Sequence, residues 1–312
     1  MTEAPVARSG RERSVLVVGE ALVDLVPAGG GAGVRVAQPG GAPANVAVGV
    51  ARLGGRASFV GGIGDDAFGD TVERWLAGAG VDLSLSARPA LPTALAVADP
   101  GDHGNTYRFH LGDTATFALP DRAAAEAGRF GAVYAGGLAA VVEPAAAVVA
   151  AVAREAARSG LLAVDPNVRE DRTLDPVRSL GRLRELCALA RVVKASDEDL
   201  VRLWPDAAPE ASCREMAERG RLVVMTRGAR GATAYVHGAP AVSVPARPVR
   251  VVNTIGAGDA FMAGMLTWLG AEADWCTELT AERAKAMLEY ASGAAASVCA
   301  RAGTEPSAPL GV

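Results

Sequence analysis

Short apolar runs alternate along the chain with longer stretches whose apolar residues recur at helical spacing. The runs at 14–20, 132–136 and 161–165 contain few polar residues, which is typical of strands buried on both faces of a parallel sheet. The alanine-rich stretch 143–159 has the length of a helix, and Gly160 after it is a typical helix end. This alternation predicts helices packed on a mostly parallel sheet with right-handed crossovers. Further strands are predicted at 56–61, 191–195 and 221–226.

Two regions depart from this pattern. Residues 27–36 are rich in glycine and small side chains, which predicts a hairpin or an excursion from the main sheet. The runs 93–98 and 106–110 are separated by the turn Asp99-Pro100-Gly101-Asp102, which predicts a β-hairpin. We therefore expect a small second sheet that forms a lid over the carboxyl ends of the main strands. It is predicted to come from about 25–38 and 92–115.

Length and composition narrow the class of protein. A chain of 312 residues, 50% of them hydrophobic, buries a large core in one large α/β domain or in two domains. The net charge is -4, and no basic run interleaved with aromatic residues is present, which argues against nucleic acid or an anionic membrane as the main partner. The cysteines are far apart and lack nearby histidines, so a zinc or redox site is not expected. They are Cys187, Cys213, Cys276 and Cys299.

The beginning of the chain carries no targeting signal that we recognise. Residues 1–13 are polar and charged, which predicts a flexible tail, and the folded domain is expected over 14–312. The alanine-rich segments are interrupted by Arg and Glu, so none is expected to span a membrane. We therefore predict a cytoplasmic protein with buried thiols and a small ligand.

Residues 253–261 connect an apolar run to a helical pattern through the sequence Asn-Thr-Ile-Gly-Ala-Gly-Asp-Ala-Phe. The glycines leave backbone amides unshielded at a helix N-terminus, where free N–H groups and the helix dipole attract anions. Asp259 in the first turn is suited to take a proton from a hydroxyl that attacks a phosphorus atom. A simple glycine turn in which Asp259 caps the helix would explain the same local pattern.

A second glycine loop, at 39–55, also leads into a helix. Gly40 and Gly41 let a ligand approach the backbone closely, and Asn45 offers an amide that donates to and accepts from sugar hydroxyls. Asp24 follows the first strand, at the edge where open α/β sheets bind ligands. The alternatives are a plain helix cap for Asn45 and a solvated loop acid for Asp24.

A third loop has the spacing of a dinucleotide-binding turn. Gly62, Gly64 and Ala67 match the glycine pattern of that turn after a strand and before a helix. Asp65 and Asp66 would place carboxylates where the pyrophosphate should bind, and no acidic ribose-binding residue follows at the expected distance. A dinucleotide-dependent oxidoreductase is therefore a disfavoured alternative.

Polar groups also follow three later strands. Asp165, Asn167 and Arg169 suit the recognition of a polyol or an anion, although a structural pair of Arg169 with Asp165 is an equal alternative. The helix start at 196–199 carries three acidic residues, at 197–199, which either hold hydrated Mg²⁺ through water or only favour the helix dipole. Residues 226–231 form another glycine-bearing strand end.

Four motifs, in this order, resemble those of the ribokinase-type (pfkB) sugar kinase family, and together they span nearly the whole chain. The resemblance implies an α/β fold with three α/β/α layers, a mostly parallel central sheet and a small β lid. The sugar would lie between lid and sheet, with ATP on the C-terminal side. Within the family, residues 39–45 and 165–169 are most similar to fructokinases. The motifs are Gly-Gly-x-x-x-Asn at 40–45, the 62–69 loop, Thr-x-Gly-x-x-Gly at 226–231 and Gly-Ala-Gly-Asp-Ala-Phe at 256–261.

The resemblance assigns a role to each matched residue. Asp259 matches the general base that deprotonates the sugar hydroxyl, and the amides of Gly256, Ala257 and Gly258 match the anion hole. ATP and Mg²⁺ are the implied cofactors. The implied sugar contacts are Asp24, Gly40, Gly41, Asn45, Asn167 and Arg169, and the implied ATP contacts are Thr226, Gly228, Gly231 and Ser292.

Three positions depart from the family pattern. Asn253 stands where an Asp usually borders a monovalent-cation site, and because Asn lacks the charge, we expect weaker activation by K⁺. Asp199 replaces the Glu of an acidic helix-start motif that begins here at Ser196, and its shorter side chain still reaches a water bound to Mg²⁺. Ser292 replaces an Asn that often faces the adenine.

The predicted reaction is the ATP-dependent phosphorylation of a primary hydroxyl of a ketohexose, from D-fructose to fructose 6-phosphate. Leu111 stands where acid-sugar kinases of the family tend to carry Arg, which disfavours 2-keto-3-deoxygluconate, and the neighbouring His110 is expected to pack within the lid. A kinase of another sugar or a nucleoside, and a sugar-binding protein that has lost turnover, are the alternatives. The resemblance also implies a homodimer formed through the lid.

Overall fold

A computed structural model describes residues 12–27, 33–101, 104–159, 162–169, 171, 173–271, 279–301 and 306. Residues 1–11 of the predicted tail, Gly160 and Cys276 lie outside these ranges. The strands are β1 (Glu12–Val18), β2 (Leu22–Pro27), β3 (Arg35–Gly40), β4 (Ala57–Val60), β5 (Leu95–Gly101), β6 (Gly104–His110), β7 (Phe130–Gly136), β8 (Leu162–Asp165), β9 (Val192–Ser196), β10 (Leu222–Thr226), β11 (Ala232–Tyr235) and β12 (Val242–Val244). The helices are α1 (Ala42–Arg52), α2 (Ala67–Gly78), α3 (Ala123–Glu126), α4 (Ala145–Ser159), α5 (Pro176–Leu189), α6 (Asp197–Leu203), α7 (Pro209–Glu218), α8 (Ala257–Ala271) and α9 (Ala281–Cys299).

The larger sheet has eight strands in the order β12-β11-β10-β9-β8-β7-β1-β4. Six neighbouring strands of this sheet run parallel, namely β10, β9, β8, β7, β1 and β4. The strands β11 and β12 are added antiparallel at the edge beside β10. Because successive side chains of a strand point to opposite faces, β1 contributes Leu16 and Val18 to one core and Val15 and Val17 to the other. The mostly parallel sheet predicted from the apolar runs is confirmed. β1 begins at Glu12, two residues before the predicted strand and within the predicted tail.

Helices cover both faces of this sheet. The core on one face includes buried residues of α4, α5, α6 and α7, and the core on the other face includes residues of α1, α2, α8 and α9. Helix-bearing crossovers bury a parallel sheet on both sides, which is why its strands lack a polar face. The predicted three-layer α/β/α arrangement is therefore confirmed.

A second sheet of four strands has the order β3-β2-β5-β6. It brings the glycine-bearing region after the first strand together with the predicted hairpin, and β2 and β5 pair in parallel. The predicted turn at 99–102 is wrong, because the ladder continues through Gly101 paired with Gly104. The two strands therefore extend to Gly101 and Gly104, and residues 102 and 103 lie outside the described residues.

None of the helices that the structure describes is both long and apolar enough to span a lipid bilayer.

Candidate active site

The N-terminus of α8 is formed by the glycine loop that follows Asn253. The side-chain Oδ1 of Asn253 accepts the Ile255 N–H at 3.0 Å, and Gly256 has φ = 77°, a backbone conformation that glycine adopts without strain. Ala257 donates its N–H to Thr254 O at 3.2 Å, so one of the three amides predicted to bind an anion already has a partner. Within the part of the chain that the structure describes, the amides of Gly256 and Gly258 have no acceptor. The loop therefore presents two unpaired N–H groups at a helix N-terminus.

Asp259 is buried in the first turn of α8, with 7% of its surface exposed. Its Oδ2 accepts Asn45 Nδ2 at 2.8 Å and its Oδ1 accepts Asn167 Nδ2 at 3.4 Å. Burial raises the pKa of Asp259, against the opposing effects of the Asn45 hydrogen bond and of the Lys194 and Arg169 charges. The carboxylate is thus held by amides from two other segments, and it does not cap its own helix.

Close packing of α1 against α8 explains the Asn45 contact. Gly49 lies one turn after Asn45, and Ala263 lies one turn after Asp259. A Cβ added to Gly49 would lie 2.6 Å from the Ala263 Cβ, so the two helices approach more closely than two side chains allow. The glycine therefore brings the Asn45 amide within reach of Asp259.

The predicted sugar-contact residues Asp24, Gly40 and Gly41 lie together where β2 and β3 pair. A Cβ on Gly40 would lie 2.2 Å from Asp24 Oδ2, and Gly41, with φ = 103°, would meet the Glu20 carbonyl at 2.7 Å. Burial raises the pKa of Asp24 to about 6, and the Arg169 charge lowers it while Asp259 raises it further. The glycines thus make room for Asp24 and for the preceding chain.

The loop after β8 contributes Asn167 and Arg169. Asn167 has φ = 41°, a left-handed conformation that its amide tolerates, and its N–H donates to Asp165 Oδ1 at 3.2 Å. Arg169 is exposed and its charge acts on both Asp24 and Asp259. The structure therefore joins Asp24, Asn45, Asn167, Arg169 and Asp259 in one polar cluster at the carboxyl edge of the large sheet.

Glu20 belongs to the same region, although the sequence analysis assigned it no role. It is 2% exposed and accepts the N–H groups of Leu138 at 3.1 Å and Ala139 at 2.9 Å, which begin a short 3₁₀ helix after β7. Burial raises its pKa to about 7, with a smaller contribution from Asp259. The signal available in the sequence was one carboxylate at the end of an otherwise apolar strand.

Lys194 is a second residue that the sequence analysis passed over. Its Nζ forms an ion pair with Asp165 Oδ2 at 2.6 Å, and both side chains are almost fully buried. The predicted structural pair of Asp165 with Arg169 is thus replaced by a pair with Lys194. A single cation inside the apolar run 191–195 was the available signal.

Asp199 is occupied by its own helix. Its carboxylate accepts the Ser196 N–H at 3.0 Å and Oγ at 2.7 Å, while Ser196 Oγ accepts the Asp199 N–H, which forms a capping box. The second oxygen accepts the Val168 N–H at 2.9 Å. These contacts support the structural interpretation of the acidic helix start, and its role toward Mg²⁺ stays a prediction.

The residues predicted to contact ATP do not touch this cluster. Gly228 and Gly231 have positive φ and shape the turn between β10 and β11, which Thr226 begins. Ser292 is 8% exposed within α9, so little of it is available for contact with adenine in this structure. In the described ranges, no hydrogen bond links these four residues to Asp259.

The dinucleotide-like loop serves a different purpose. Asp66 is the N-cap of α2 and accepts the N–H groups of Gly69 at 2.7 Å and Thr93 at 2.8 Å. Added Cβ atoms at Gly62 and Gly64 would lie 1.7 Å from the Ala115 carbonyl and 2.2 Å from Thr93 Oγ1. These glycines therefore allow close chain packing, and a carboxylate already fills the helix N-terminus.

A cavity of about 850 Å³ lies beside the polar cluster. It borders Asn167 and Arg169 but not Asp259, and much of its lining is apolar. Leu111 at the end of the hairpin is buried, whereas His110 is exposed along the cavity, so the prediction that His110 packs within the lid is wrong. The apolar lining comes from Tyr107, Phe109, Leu174, Leu180 and Leu183.

Comparisons with known proteins agree with this arrangement. The family model described as pfkB family carbohydrate kinase matches residues 12–310. A fructokinase of Klebsiella pneumoniae is 37% identical over 265 residues, which cover 82% of this chain and 84% of that protein. A crystal structure of fructokinase from Vibrio cholerae O395 with fructose, ADP and calcium bound superposes with a TM-score of 0.81 at 29% identity, covering 93% of this chain and 94% of the other.

A third relative has a different substrate. The aminoimidazole riboside kinase of Salmonella enterica, solved with aminoimidazole riboside and an ATP analogue, superposes with a TM-score of 0.76 at 25% identity, covering 93% of this chain and 94% of the other. The family match itself extends over nearly the whole chain, and the chain therefore belongs to the pfkB family of carbohydrate kinases.

Proposed function

We propose that this protein is an ATP-dependent kinase that converts D-fructose to fructose 6-phosphate. The observation that carries the proposal is the position of Asp259, buried beside the glycine loop of α8 and held by Asn45 and Asn167. A carboxylate beside a helix N-terminus with unpaired amides suits the transfer of a phosphoryl group to a hydroxyl. The similarity to fructokinases supports fructose as the acceptor.

Asp259 acts as the general base in this proposal. The primary hydroxyl oxygen of the sugar forms a bond to the γ-phosphorus of ATP as the bond from that phosphorus to the bridging oxygen of ADP breaks, and the hydroxyl proton passes to Asp259. Its raised pKa increases the basicity of the ionised carboxylate. The Asn45 and Asn167 hydrogen bonds fix its orientation, which is the main contribution a protein makes to this reaction.

Sugar recognition is assigned to the groups around Asp259. Asn45 Oδ1 is buried and has no hydrogen-bond partner among the described residues, and an unpaired buried acceptor of this kind is suited to a sugar hydroxyl. Asp24 and Arg169 supply an acceptor and donors on the other side. Gly40 and Gly41 are proposed to let the sugar approach the backbone.

The amides of Gly256 and Gly258 are proposed to receive the transferred phosphoryl group, with a smaller part for Ala257 because its N–H has a partner. Thr226, Gly228, Gly231 and Ser292 are the proposed ATP contacts. Backbone amides at a helix N-terminus fit an anion, and this donor set is the observation that supports ATP binding.

The described residues fit Mg²⁺ and a monovalent cation less well than they fit the sugar and the phosphoryl group. Asp199 has its carboxylate engaged in hydrogen bonds, and in the described ranges no three acidic, histidine or cysteine side chains are arranged to bind a metal. Mg²⁺ would neutralise phosphate charge when bound with ATP, and Asp199 would reach it only through water. The Asn253 side chain carries no negative charge to attract a monovalent cation, and its Oδ1 already accepts the Ile255 N–H.

An ADP-release assay with a panel of sugars and nucleosides tests the proposal. We expect the fastest turnover with fructose, and Asp259→Asn should lower it by about 10³-fold while the variant still binds the sugar. Sugar binding without ADP release by the wild-type protein would overturn the kinase assignment and favour a binding protein.

A riboside carrying a flat ring is the second candidate substrate. The apolar cavity beside Asn167 and Arg169 offers Tyr107 and Phe109, whose stacked rings lie 6.2 Å apart, to such a ring. The aminoimidazole riboside kinase supports including ribosides in the panel. Turnover of ribosides that exceeds turnover of fructose would favour this candidate.

We also propose a cytoplasmic homodimer. Val36, in the edge strand β3 of the smaller sheet, is 46% exposed, and Val34 just before that strand is 56% exposed, so a second copy would cover both. The buried free thiols of Cys187 and Cys213 suit a reducing compartment. The mass in solution of the wild type and of Val36→Lys measures the dimer, and a monomeric wild type would contradict it.

A further inference from the structure

Lys194 is the one charged residue of β9, and it is 4% exposed. The alternation of the strand places Val193 and Ala195 in the core toward α4–α7, whereas Val192 belongs to the core beneath α8 and α9. Lys194 therefore faces the same side as Val192, toward the helix that carries Asp259. Burying an ammonium group costs free energy unless the site compensates for it.

Asp165 compensates for part of this cost. It follows Val164 on β8, which pairs with Val193 of β9, so Asp165 and Lys194 lie side by side at the carboxyl edge. Their ion pair measures 2.6 Å and is buried on both sides. Buried ion pairs contribute little net stability compared with apolar residues of the same volume, so stability alone does not account for this one.

The ammonium lies directly against the glycine loop. A Cβ added to Gly258 would lie 3.2 Å from Lys194 Nζ, and apart from the adjoining residues and the backbone of α8 no other described atom lies within 4 Å of that point. In the described ranges Asp165 is the only recorded acceptor of the ammonium, which has three N–H donors. A positive charge with spare donors thus lies beside Gly258, one of the two loop glycines whose amides are unpaired.

We propose that Lys194 is a positioning residue for phosphoryl transfer, whose ammonium, fixed by Asp165, adds positive charge to the anion site at 256–258 and stabilises the ionised form of Asp259. The inference rests on the proposed kinase function of that site. A fixed charge a few ångströms from a developing negative charge acts strongly because water is excluded and no reorganisation is required.

The charges around Asp259 define what the removal of Lys194 should do. Lys194 and Arg169 both lower the pKa of Asp259 against the effect of burial. Lys194 itself is also close to the Asp165 and Asp199 carboxylates. The other polar or titratable groups that face Asp259 are Asn45 of α1, Asn167 after β8, Asp24 of β2, Glu20 after β1, Asp165 of β8 and Tyr134 of β7.

The test uses the double variant Lys194→Gln/Asp165→Asn, which keeps a hydrogen-bonded pair of similar size and removes both charges. Asp165→Asn alone is the matched control because it keeps the ammonium. One readout is the ratio of the dissociation constants of ADP and of the nonhydrolysable ATP analogue AMPPNP, each with Mg²⁺, which reports on the γ-phosphate and needs no turnover. The other is the acid limb of the pH profile of kcat.

In the double variant, the preference for AMPPNP over ADP should fall about tenfold. The acid limb of its kcat profile should shift up by about one pH unit. The Asp165→Asn variant should keep the preference and move the acid limb down, since its ammonium is no longer neutralised. The single variant Lys194→Arg keeps the positive charge, so its acid limb should stay at the wild-type pH. A structural role would lower the amount of folded protein in all variants without shifting the limb in opposite directions.

The inference would be overturned if a folded double variant kept both the wild-type ratio of the ADP and AMPPNP dissociation constants and the wild-type acid limb. If the double variant does not fold, a limb in Asp165→Asn that does not move down would overturn it equally. Wild-type protein that phosphorylates no sugar would contradict the proposed function, whereas the binding ratio would still test Lys194.

Discussion

Two turns of this molecule share a local pattern of glycines, an aspartate and a helix start, and they differ in almost everything else. At 62–69, Asp66 caps α2, and its hydrogen bonds to Gly69 and Thr93 lower its pKa although burial acts to raise it. At 256–261, Asp259 lies inside α8, and burial raises its pKa. Neighbours from other segments, and not the glycine pattern, therefore set the hydrogen bonds and the pKa of each aspartate.

The largest effect is expected from Asp259→Asn. The amide keeps the shape of the side chain but takes no proton, so kcat should fall by about 10³-fold with little change in the free energy of unfolding. Fructose-dependent ADP release and thermal unfolding measure the two quantities. A variant that keeps most of its activity would place Asp259 with Asp66 as a structural residue.

The second-largest effect concerns the pH dependence of stability, which Glu20 beside Asp259 should control. Because the pKa of Glu20 is raised from 4.5 to about 7, the folded protein holds its proton more tightly than the unfolded chain does. Its contribution to stability is complete below about pH 4.5 and is lost as the pH rises through about 7, on the order of 3 kcal/mol. Glu20→Gln should lack this loss, which unfolding in denaturant at pH 5.5 and pH 8 would measure. Equal pH dependence in both proteins would contradict the assignment.

The packing behind Asp259 is tested by Gly49→Ala. The added methyl group meets Ala263 and should push α1 from α8, which moves Asn45 away from Asp259 and lowers kcat by roughly 10- to 100-fold. Gly181→Ala is the matched control, since no atom lies within 4 Å of its added Cβ in α5. The control should keep kcat and gain a little stability. Equal kcat in both variants would show that the close approach of the helices is not required.

Asp66→Ala probes the other turn. Loss of the N-cap and of the contacts to Thr93 should cost about 2 kcal/mol of unfolding free energy, with kcat nearly unchanged. Denaturant unfolding measures the first quantity and ADP release the second. A strong loss of activity in folded protein would give this loop a direct part in the reaction.

The smallest effect concerns Asn253. We expect stimulation by K⁺ to be weak in the wild type and to increase a few-fold in Asn253→Asp, because the carboxylate adds a negative charge beside the proposed cation site. Initial rates with K⁺ and with a tetraalkylammonium salt at equal ionic strength measure this effect. Strong stimulation of the wild type that the substitution does not increase would contradict it.

The extent to which the site followed from sequence can be seen in single residues. The positions of Asp24, Asn45, Asn167 and Asp259, after strands or in helix starts, predict that they lie close together, because the carboxyl ends of parallel strands meet at one edge. Asp165 is predicted either to recognise a polyol or an anion or to pair with Arg169, and its pairing with Lys194 is not predicted, since a lysine in an apolar run carries no sign of the partner that a neighbouring strand supplies. The ATP contacts stay predictions.

What the sequence alone determined is the architecture and the family. Apolar runs without a polar face require a sheet covered on both sides, and the glycine motifs occur in the order of one kinase family. The environment of each carboxylate became visible only in the folded chain: Asp66 accepts hydrogen bonds within its own turn, whereas Asp259 is held by Asn45 and Asn167 near the charge of Lys194, which supports its proposed role as the base. The physical reason is that pKa and orientation depend on burial and on groups distant in sequence, which no local pattern contains.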